Sequence, residues 1–122
     1  MSREFSLELL APVARVAFLG LDAVLRRETP FLPFETYRDP EQQELMFRRG
    51  TSKAHAFESA HQFGLAVDFV PFIDGNWRWD VDPATWDLLD HHADAMGLQH
   101  PIAWDRAHIC HPIWDRVRKL TR

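Results

Sequence analysis

The chain has 122 residues, of which 46% are hydrophobic and 26% charged, so it can form one domain with a buried core and is too apolar to be disordered. Its formal net charge is −4, which argues against electrostatic binding of nucleic acid. The single cysteine excludes a disulfide within the chain.

The most hydrophobic stretch covers residues 7–25 and predicts a helix. Its apolar residues recur at helical spacing from Val13 to Leu25, with Pro12 in or before the first turn. Charged residues interrupt the stretch, so it fits neither a membrane span of ~20 apolar residues nor a cleaved signal peptide. We therefore expect synthesis in the cytoplasm without a signal peptide, and no insertion into a membrane.

A strand and a helix follow, and an arginine lies between them. The sequence predicts a strand at residues 34–37, after a connection that includes Pro33. Asp39 is a strong N-cap for the next helix, which ends at Gly50. Arg38 thus follows a strand end and precedes a helix, where side chains often face a cleft. A surface arginine paired with a carboxylate is the simpler interpretation of its position.

Residues 51–58 lack periodicity and are predicted to be a loop. The stretch after them contains candidate functional residues. From Gly64 to Pro71 the chain is apolar and predicts a buried strand that contains one carboxylate, Asp68. That carboxylate requires an arginine, backbone donors or a metal ion, because its burial alone would cost several kcal/mol. His61 precedes the glycine turn and can fold back over the strand. Together they form half of a metal site.

The next elements complete the predicted fold. Asp74 and Gly75 are a hairpin-turn signal, and Asp82 caps a helix predicted over residues 83–96. We therefore predict a small single domain over residues 1–122, of the α+β class, with helices packed on a mostly antiparallel sheet.

In the last informative stretch, residues of different character alternate from position 107 to position 111, which predicts a short strand. His108 and Cys110 share one face of it, and His111 lies on the other as a rival ligand. We interpret Cys110 as a small buried hydrophobic residue. Asp105 can converge with His108 only if it lies in the turn before the strand.

Three ligands from His and Asp with an open fourth position are the make-up of a catalytic zinc site. The candidate ligands are His61, Asp68 and His108, and the candidate general base is Asp105. Zinc lowers the pKa of its water toward ~7 and polarises a carbonyl, while a carboxylate that does not bind the metal accepts the proton. Arg38 could then hold the developing oxyanion or a substrate carboxylate.

The residues fall into two motifs, Ser59-x-His61-x-x-Gly64-x-Ala66-x-Asp68 and Asp105-x-x-His108. Their order and spacing resemble the zinc peptidases that cleave D-amino-acid bonds in peptidoglycan. That family includes D-Ala-D-Ala carboxypeptidases and the L-alanyl-D-glutamate endopeptidases of phage lysins. The resemblance implies the fold shared by DD-peptidases and hedgehog domains.

The resemblance also implies a role for each matching residue. His61, Asp68 and His108 would hold one zinc ion per chain, Asp105 would be the general base, and Arg38 would contact the substrate. Ser59 would line the substrate cleft, and Gln62, next to His61, is a further candidate for substrate binding.

The function expected from these observations is hydrolysis of a stem-peptide bond of bacterial peptidoglycan. The expected setting is a phage or phage-like element, with action on the cell wall after release or as part of the particle, and with a holin or a virion or tail protein as delivery partner. One alternative is a cellular D-Ala-D-Ala peptidase. The other is a non-catalytic, zinc-stabilised binding domain of the same fold, as in hedgehog signalling domains.

Overall fold

The computed structural model describes residues 3–51 and 59–120, and these form the predicted α+β architecture of helices packed on an antiparallel sheet. The elements in chain order are a 3-10 helix at Leu7–Leu9, α1 (Pro12–Glu28), β1 (Phe31–Glu35), α2 (Pro40–Arg48), a second 3-10 helix at Ala60–Phe63, β2 (Ala66–Ile73), β3 (Asn76–Trp77), α3 (Pro83–Ala95), β4 (His108–Cys110) and α4 (Trp114–Leu120). The loop predicted at residues 51–58 lies, from residue 52 onward, outside the described residues.

Strand β2 is the centre of the sheet. It pairs antiparallel with β1, β3 and β4, and each of these three pairs with β2 alone among the named strands. Asp68 lies in the middle of this arrangement, opposite Glu35 of β1 and opposite His108 of β4. The sheet therefore brings together side chains from three distant parts of the sequence.

Two prolines that we expected to bound strands lie inside them. Strand β1 begins at Phe31 and contains Pro33, and β2 continues through Pro71 to Ile73. β1 is an edge strand, where a missing N–H need not break the ladder. Pro71 has no N–H to donate, but its carbonyl oxygen accepts a hydrogen bond of 2.8 Å from the N–H of Arg78. The predicted boundaries at Pro33 and Pro71 were thus wrong.

A bulge in β1 changes which face its last residue occupies. Pro33 lies opposite Phe69, but Glu35 lies opposite Asp68, so β1 carries one extra residue between these pairs. Residues directly opposite each other in an antiparallel pair point to the same face. The bulge therefore turns Glu35 to the face of Asp68, whereas an unbroken register would place it opposite the buried Val67.

Helix α1 packs on the sheet through a stripe that its sequence predicted only in part, since Leu21 and Leu25 are buried as expected. Its buried residues are Ala14, Phe18, Leu21 and Leu25, and the Phe18 ring stacks 6.4 Å from that of Phe69 on β2. Val13 and Val16, predicted to face the core, are 54% and 79% exposed. No helix in the described part of the chain is both long enough and apolar enough to cross a membrane.

The local signals for turns and helix starts are confirmed. The carboxylate of Asp39 accepts the Gln42 N–H at 2.7 Å, and that of Asp82 accepts the Thr85 N–H at 2.9 Å. Asp74 and Gly75 both have positive φ between β2 and β3, as a tight hairpin requires.

Gly64, which ends the second 3-10 helix, gives a stability prediction. Its φ is +67°, and a Cβ there would lie 2.6 Å from the backbone nitrogen of Ala11, whose N–H donates to the Gly64 carbonyl at 2.9 Å. We expect Gly64→Ala to lower the free energy of unfolding by about 3 kcal/mol, from backbone strain and the displaced contact. Urea denaturation measures the loss.

Gly50 is the matched control for this substitution. Its φ is +75°, but a Cβ there meets no atom of the described residues within 4 Å. Gly50→Ala should therefore lower the free energy of unfolding only by the conformational cost of positive φ, about 1 kcal/mol. Equal losses in the two variants would show that the approach of Ala11 to Gly64 does not contribute.

Candidate metal centre

Three side chains meet where the second 3-10 helix, β2 and β4 come together. The Nε2 atom of His61 lies 3.1 Å from Oδ1 of Asp68, and Nδ1 of His108 lies 3.3 Å from the same oxygen. The two histidine nitrogens are 3.3 Å apart. Both histidines are buried, and Asp68 is largely so. These three atoms form a nearly equilateral triangle.

The triangle has the size that a zinc site requires. Zinc bonds of ~2.0–2.1 Å at tetrahedral angles separate the ligand atoms by about 3.3–3.4 Å. The sides of 3.1, 3.3 and 3.3 Å match this separation, and two imidazoles with one carboxylate are a donor set that suits zinc. The residues present therefore fit a zinc ion, and among the described residues these three form the cluster that could hold a metal.

Hydrogen bonds outside the triangle fix the orientation of His61. Its Nδ1 lies 2.7 Å from the carbonyl oxygen of buried Thr36, a contact in which the ring nitrogen must donate. In the neutral ring that tautomer leaves the Nε2 lone pair free for a metal, and when the ring is protonated Nε2 donates to Asp68. The backbone is held as well, because the Arg38 N–H donates to the His61 carbonyl at 3.3 Å. The ring is thus positioned before any metal binds.

The electrostatics of the triangle favour an ionised aspartate. Burial by itself raises the pKa of Asp68, but the neighbouring His61 and His108 outweigh burial and hold that pKa well below its usual range. Burial lowers the pKa of His61, and the charge and hydrogen bond of Asp68 more than offset this and raise it. Asp68 is therefore a carboxylate at neutral pH, the form that binds a metal.

Asp105 lies in the turn before β4, which is the position that convergence with His108 requires. Its carbonyl accepts the His108 N–H at 3.2 Å, and its own N–H donates to Ile102 at 3.0 Å. Its side chain lines the same cleft as the triangle. Burial, and then the negative charge of Asp68, raise the pKa of Asp105 above the ordinary carboxyl value. This moves the carboxyl toward the pKa of an effective general base.

Arg38 is a buried residue of the cleft, so the interpretation as a surface arginine is wrong. One Nη atom donates to the side-chain oxygen of Gln43 at 2.6 Å, and the other forms an ion pair with Glu35. All three residues are buried. Sequence reasoning missed Glu35 and Gln43; the available signal was a carboxylate at the end of an apolar strand, three residues before the arginine.

The remaining predicted residues divide between the cleft and the interior. Ser59 lines the cleft, and its hydroxyl accepts the His61 N–H at 3.3 Å. Gln62 is buried, does not line the cleft, and its amide O and N have no hydrogen-bond partner among the described residues. Its contact with substrate stays a prediction. His111 lies beyond β4, where its Nδ1 accepts the Ile113 N–H at 3.1 Å.

The cleft has a volume of about 620 Å³, and its walls are mainly apolar. Trp79 and Trp104 lie on the rim and are 49% and 67% exposed. The metal triangle, Asp105 and Arg38 all line this single cleft. Its size is that of a site for a short peptide or another small molecule.

Cys110 behaves as the buried hydrophobic residue that its sequence position suggested. It is 2% exposed, and burial, followed by the charge of Asp115, raises the pKa of its thiol to about 11. We expect the native protein to resist a thiol reagent such as DTNB at pH 8, because almost no thiolate forms below that pKa. In denaturant the thiol should react at once. Rapid labelling of the native state would contradict this burial.

Comparison with solved structures places the fold. An L-Ala D-Glu endopeptidase of Serratia marcescens, ChiX, has a TM-score of 0.65 at 22% identity, over 91% of this chain and 86% of that one. VanYB in complex with D-alanine-D-alanine has a TM-score of 0.67 at 16% identity, over 98% and 83%. The LD-carboxypeptidase LdcB has a TM-score of 0.65 at 15% identity, over 99% and 69%.

A structure of the D,D-pentapeptidase VanY in complex with Zn(II) is also similar, with a TM-score of 0.64 at 16% identity, over 98% of this chain and 84% of that one. No family model matches the chain, and no curated protein matches its sequence significantly. The chain therefore has the fold of these peptidoglycan peptidases, as the motifs predicted.

Proposed function

We propose that this protein is a zinc peptidase that hydrolyses a stem-peptide bond of bacterial peptidoglycan, with one zinc ion per chain. The observation that carries the proposal is the zinc-sized triangle of His61, Asp68 and His108, in one cleft with the half-buried carboxyl of Asp105. The fold supports it, because the similar solved structures include an L-Ala D-Glu endopeptidase and a VanY with Zn(II).

Each residue of the triangle has a defined part in this function. His61 and His108 would offer Nε2 and Nδ1 to zinc, and Asp68 would offer Oδ1. When bound at such a site, zinc acidifies a water molecule and polarises a carbonyl group. The hydrogen bond from His61 to Thr36 keeps the ring from turning away.

Asp105 would perform the proton transfer. Its carboxylate accepts a proton from the water that attacks the peptide carbonyl, and the same proton then goes to the leaving amine as the C–N bond breaks. The raised pKa of Asp105 suits both directions of this transfer. Its position in the turn before β4 places it beside the ligands without making it one of them.

Arg38 would bind substrate through the remaining N–H groups of a guanidinium that is already held in place. Glu35 and Gln43 fix its orientation, so little side-chain entropy is lost when a carbonyl oxygen accepts from it. Ser59 would line the same substrate path.

The test is to incubate the zinc-loaded protein with purified muropeptides and to identify the products by mass spectrometry. We expect one new amine and one new carboxylate at a single stem-peptide bond. Protein stripped of metal by a chelator is the control and should release nothing. If the zinc-loaded protein also releases nothing from any muropeptide, the zinc-stabilised binding domain is the correct interpretation.

The setting is a separate part of the proposal and comes from the sequence alone. We propose that the protein acts on the cell wall after release by a holin, or as part of a phage-like particle. Mass spectrometry of purified particles and of lysates would distinguish the two routes.

A further inference from the structure

The outward side of helix α1 carries an apolar stripe. We call it the outer stripe, and it consists of four exposed residues, Pro12, Val16, Leu19 and Ala23. At 100° per residue these four lie within about 60° of one another, on the side of the helix opposite its buried residues. Val16 is 79% exposed and Leu19 49%. A surface helix ordinarily carries polar and charged residues on that side, so the outer stripe departs from the usual pattern.

The spacing of the outer stripe is that of a helix-packing seam. Its residues follow one another at intervals of four, three and four positions, the heptad spacing by which two helices pack side by side. The buried stripe of α1 has the same spacing, and it packs on the sheet; its members are Ala14, Phe18, Leu21 and Leu25. Helix α1 therefore has two seams on opposite sides, and the fold of one chain uses only the inner one.

The two ends of the outer stripe carry opposite charges. Glu8 is exposed in the first 3-10 helix, just before α1, and Arg27 is exposed in the last turn of α1. Neither forms an ion pair with any of the described residues, whereas Arg26 pairs with Asp22 at 2.9 Å. Arg15, in the first turn of α1, donates to main-chain carbonyl oxygens, including that of Glu8 at 3.2 Å. The stripe thus has an acidic end and a basic end, each available to another chain.

This arrangement is self-complementary under a two-fold axis. If Val16 faces Leu19 of a second copy in an antiparallel pair, the same register sets Pro12 against Ala23 and brings Glu8 near Arg27 of the other chain. A parallel pair would instead bring Glu8 near Glu8 and Arg27 near Arg27. The charges therefore favour the antiparallel pair.

We propose that the outer stripe is the interface of a symmetric homodimer, in which the α1 helices of two copies of this chain pack antiparallel. Two helices of this length bury on the order of 1,000 Å² in total, which is at the lower end of specific interfaces, so the dimer should have a Kd on the order of 10 µM. Helix α1 packs on the Phe69 face of β2, and Asp68 points to the other face. The interface is therefore remote from the metal triangle, and the proposal does not depend on the proposed function.

Sedimentation velocity of the whole chain tests the proposal. Between about 1 and about 300 µM protein, the mean mass should rise from that of one chain toward that of two. The dissociation constant should increase at high salt, because exposed ion pairs at the rim of the interface are screened.

Substitutions in the middle of the outer stripe should abolish the association. Val16→Glu and Leu19→Glu each place a carboxylate in the interface twice per dimer, so each should raise Kd at least about 100-fold. Both residues are exposed in the single chain, so thermal denaturation should show a stability close to that of the parent. Leu88→Glu on α3 is the matched control, since Leu88 is 44% exposed, and it should keep the parent Kd.

Charge reversal tests the antiparallel register. Glu8→Arg and Arg27→Glu should each raise Kd about 3- to 10-fold, because each brings like charges together at both ends of the dimer. The double variant Glu8→Arg with Arg27→Glu restores opposite charges and should recover most of the parent affinity. Nonspecific association through apolar residues would not show this recovery.

Four results would overturn the proposal. They are a monomer at every concentration, a dimer that persists in Val16→Glu and Leu19→Glu, equal weakening by Leu88→Glu, and a double charge variant that does not recover. A monomer that sediments with phosphatidylglycerol vesicles, but not after Val16→Glu, would assign the outer stripe to a lipid surface and would also overturn it. The net charge of −4 argues against that occupant.

Discussion

Asp105→Asn is expected to retain its zinc and to hydrolyse peptidoglycan about 10²–10⁴-fold more slowly than the parent. Asparagine keeps the shape of the side chain and can still hydrogen-bond a water, but it cannot accept a proton. Asp105 is outside the metal triangle, so metal content and thermal stability should change little. Muropeptide hydrolysis rates and zinc content by atomic emission measure the two quantities on the same sample.

The pH dependence of the parent distinguishes a general base from a structural residue. The base works only when ionised, so kcat/KM should fall as the pH decreases through the pKa of Asp105. Burial raises that pKa in the metal-free protein, and the positive charge of a bound zinc ion would lower it, so the limb is assigned to Asp105 by substitution and not by its position. Asp105→Asn should lose this limb of the profile. A variant with zinc, the parent rate and the parent profile would remove Asp105 from the mechanism.

The second large effect concerns the ligands. His61→Ala, Asp68→Ala and His108→Ala should each abolish stoichiometric zinc binding, because each leaves two donors where the triangle has three. In the parent, zinc at 100 times its dissociation constant should raise the free energy of unfolding by about 2.7 kcal/mol. The three variants should show no such increase. Thermal denaturation with and without zinc measures this difference.

His111→Ala is the control, since it removes a histidine three residues from His108. His111 lies outside β4 and accepts from the Ile113 N–H, so its removal should leave zinc binding intact. Retention of zinc by His108→Ala together with its loss in His111→Ala would mean that the register of β4 is shifted. Full occupancy in all three ligand variants would disprove the site.

The parts of the fold that depend on local chemistry could be predicted from the sequence. Asp39 and Asp82 cap the helices that follow them, because a capping carboxylate and the backbone N–H that donates to it lie within three residues of each other. The two motifs with the ligand residues could be found in the same way, since their spacing is visible in the sequence. The meeting of the motifs in space depends on β2 pairing with β4.

The features that depend on distant contacts could not be predicted. Pro33 is allowed inside β1 because β1 is an edge strand, and Pro71 is allowed inside β2 because its carbonyl oxygen still accepts a hydrogen bond. No local sequence pattern shows either condition. The face of Glu35 depends on a bulge that exists only in the pairing with β2. Its partnership with Arg38 was therefore missed.

Helix α4 was also missed, for a related reason. It has seven residues and no N-cap of the usual type; instead the ring of His111 accepts the N–H of Ile113 just before it. Trp114 at its start packs against Phe63, with ring centroids 5.4 Å apart. Such a short helix is stabilised by packing more than by its own propensity.

The triangle of ligands also joins two distant points of the chain. His61 and His108 are 47 residues apart in sequence, and the single cysteine allows no covalent link within the chain. A metal ion held by both would close a loop of that length in the folded chain. Because the three donors converge only in the folded state, the free energy of zinc binding adds to the free energy of folding and does not restrict the unfolded ensemble. The site would thus be a reversible cross-link of the folded chain, which forms and breaks with metal supply.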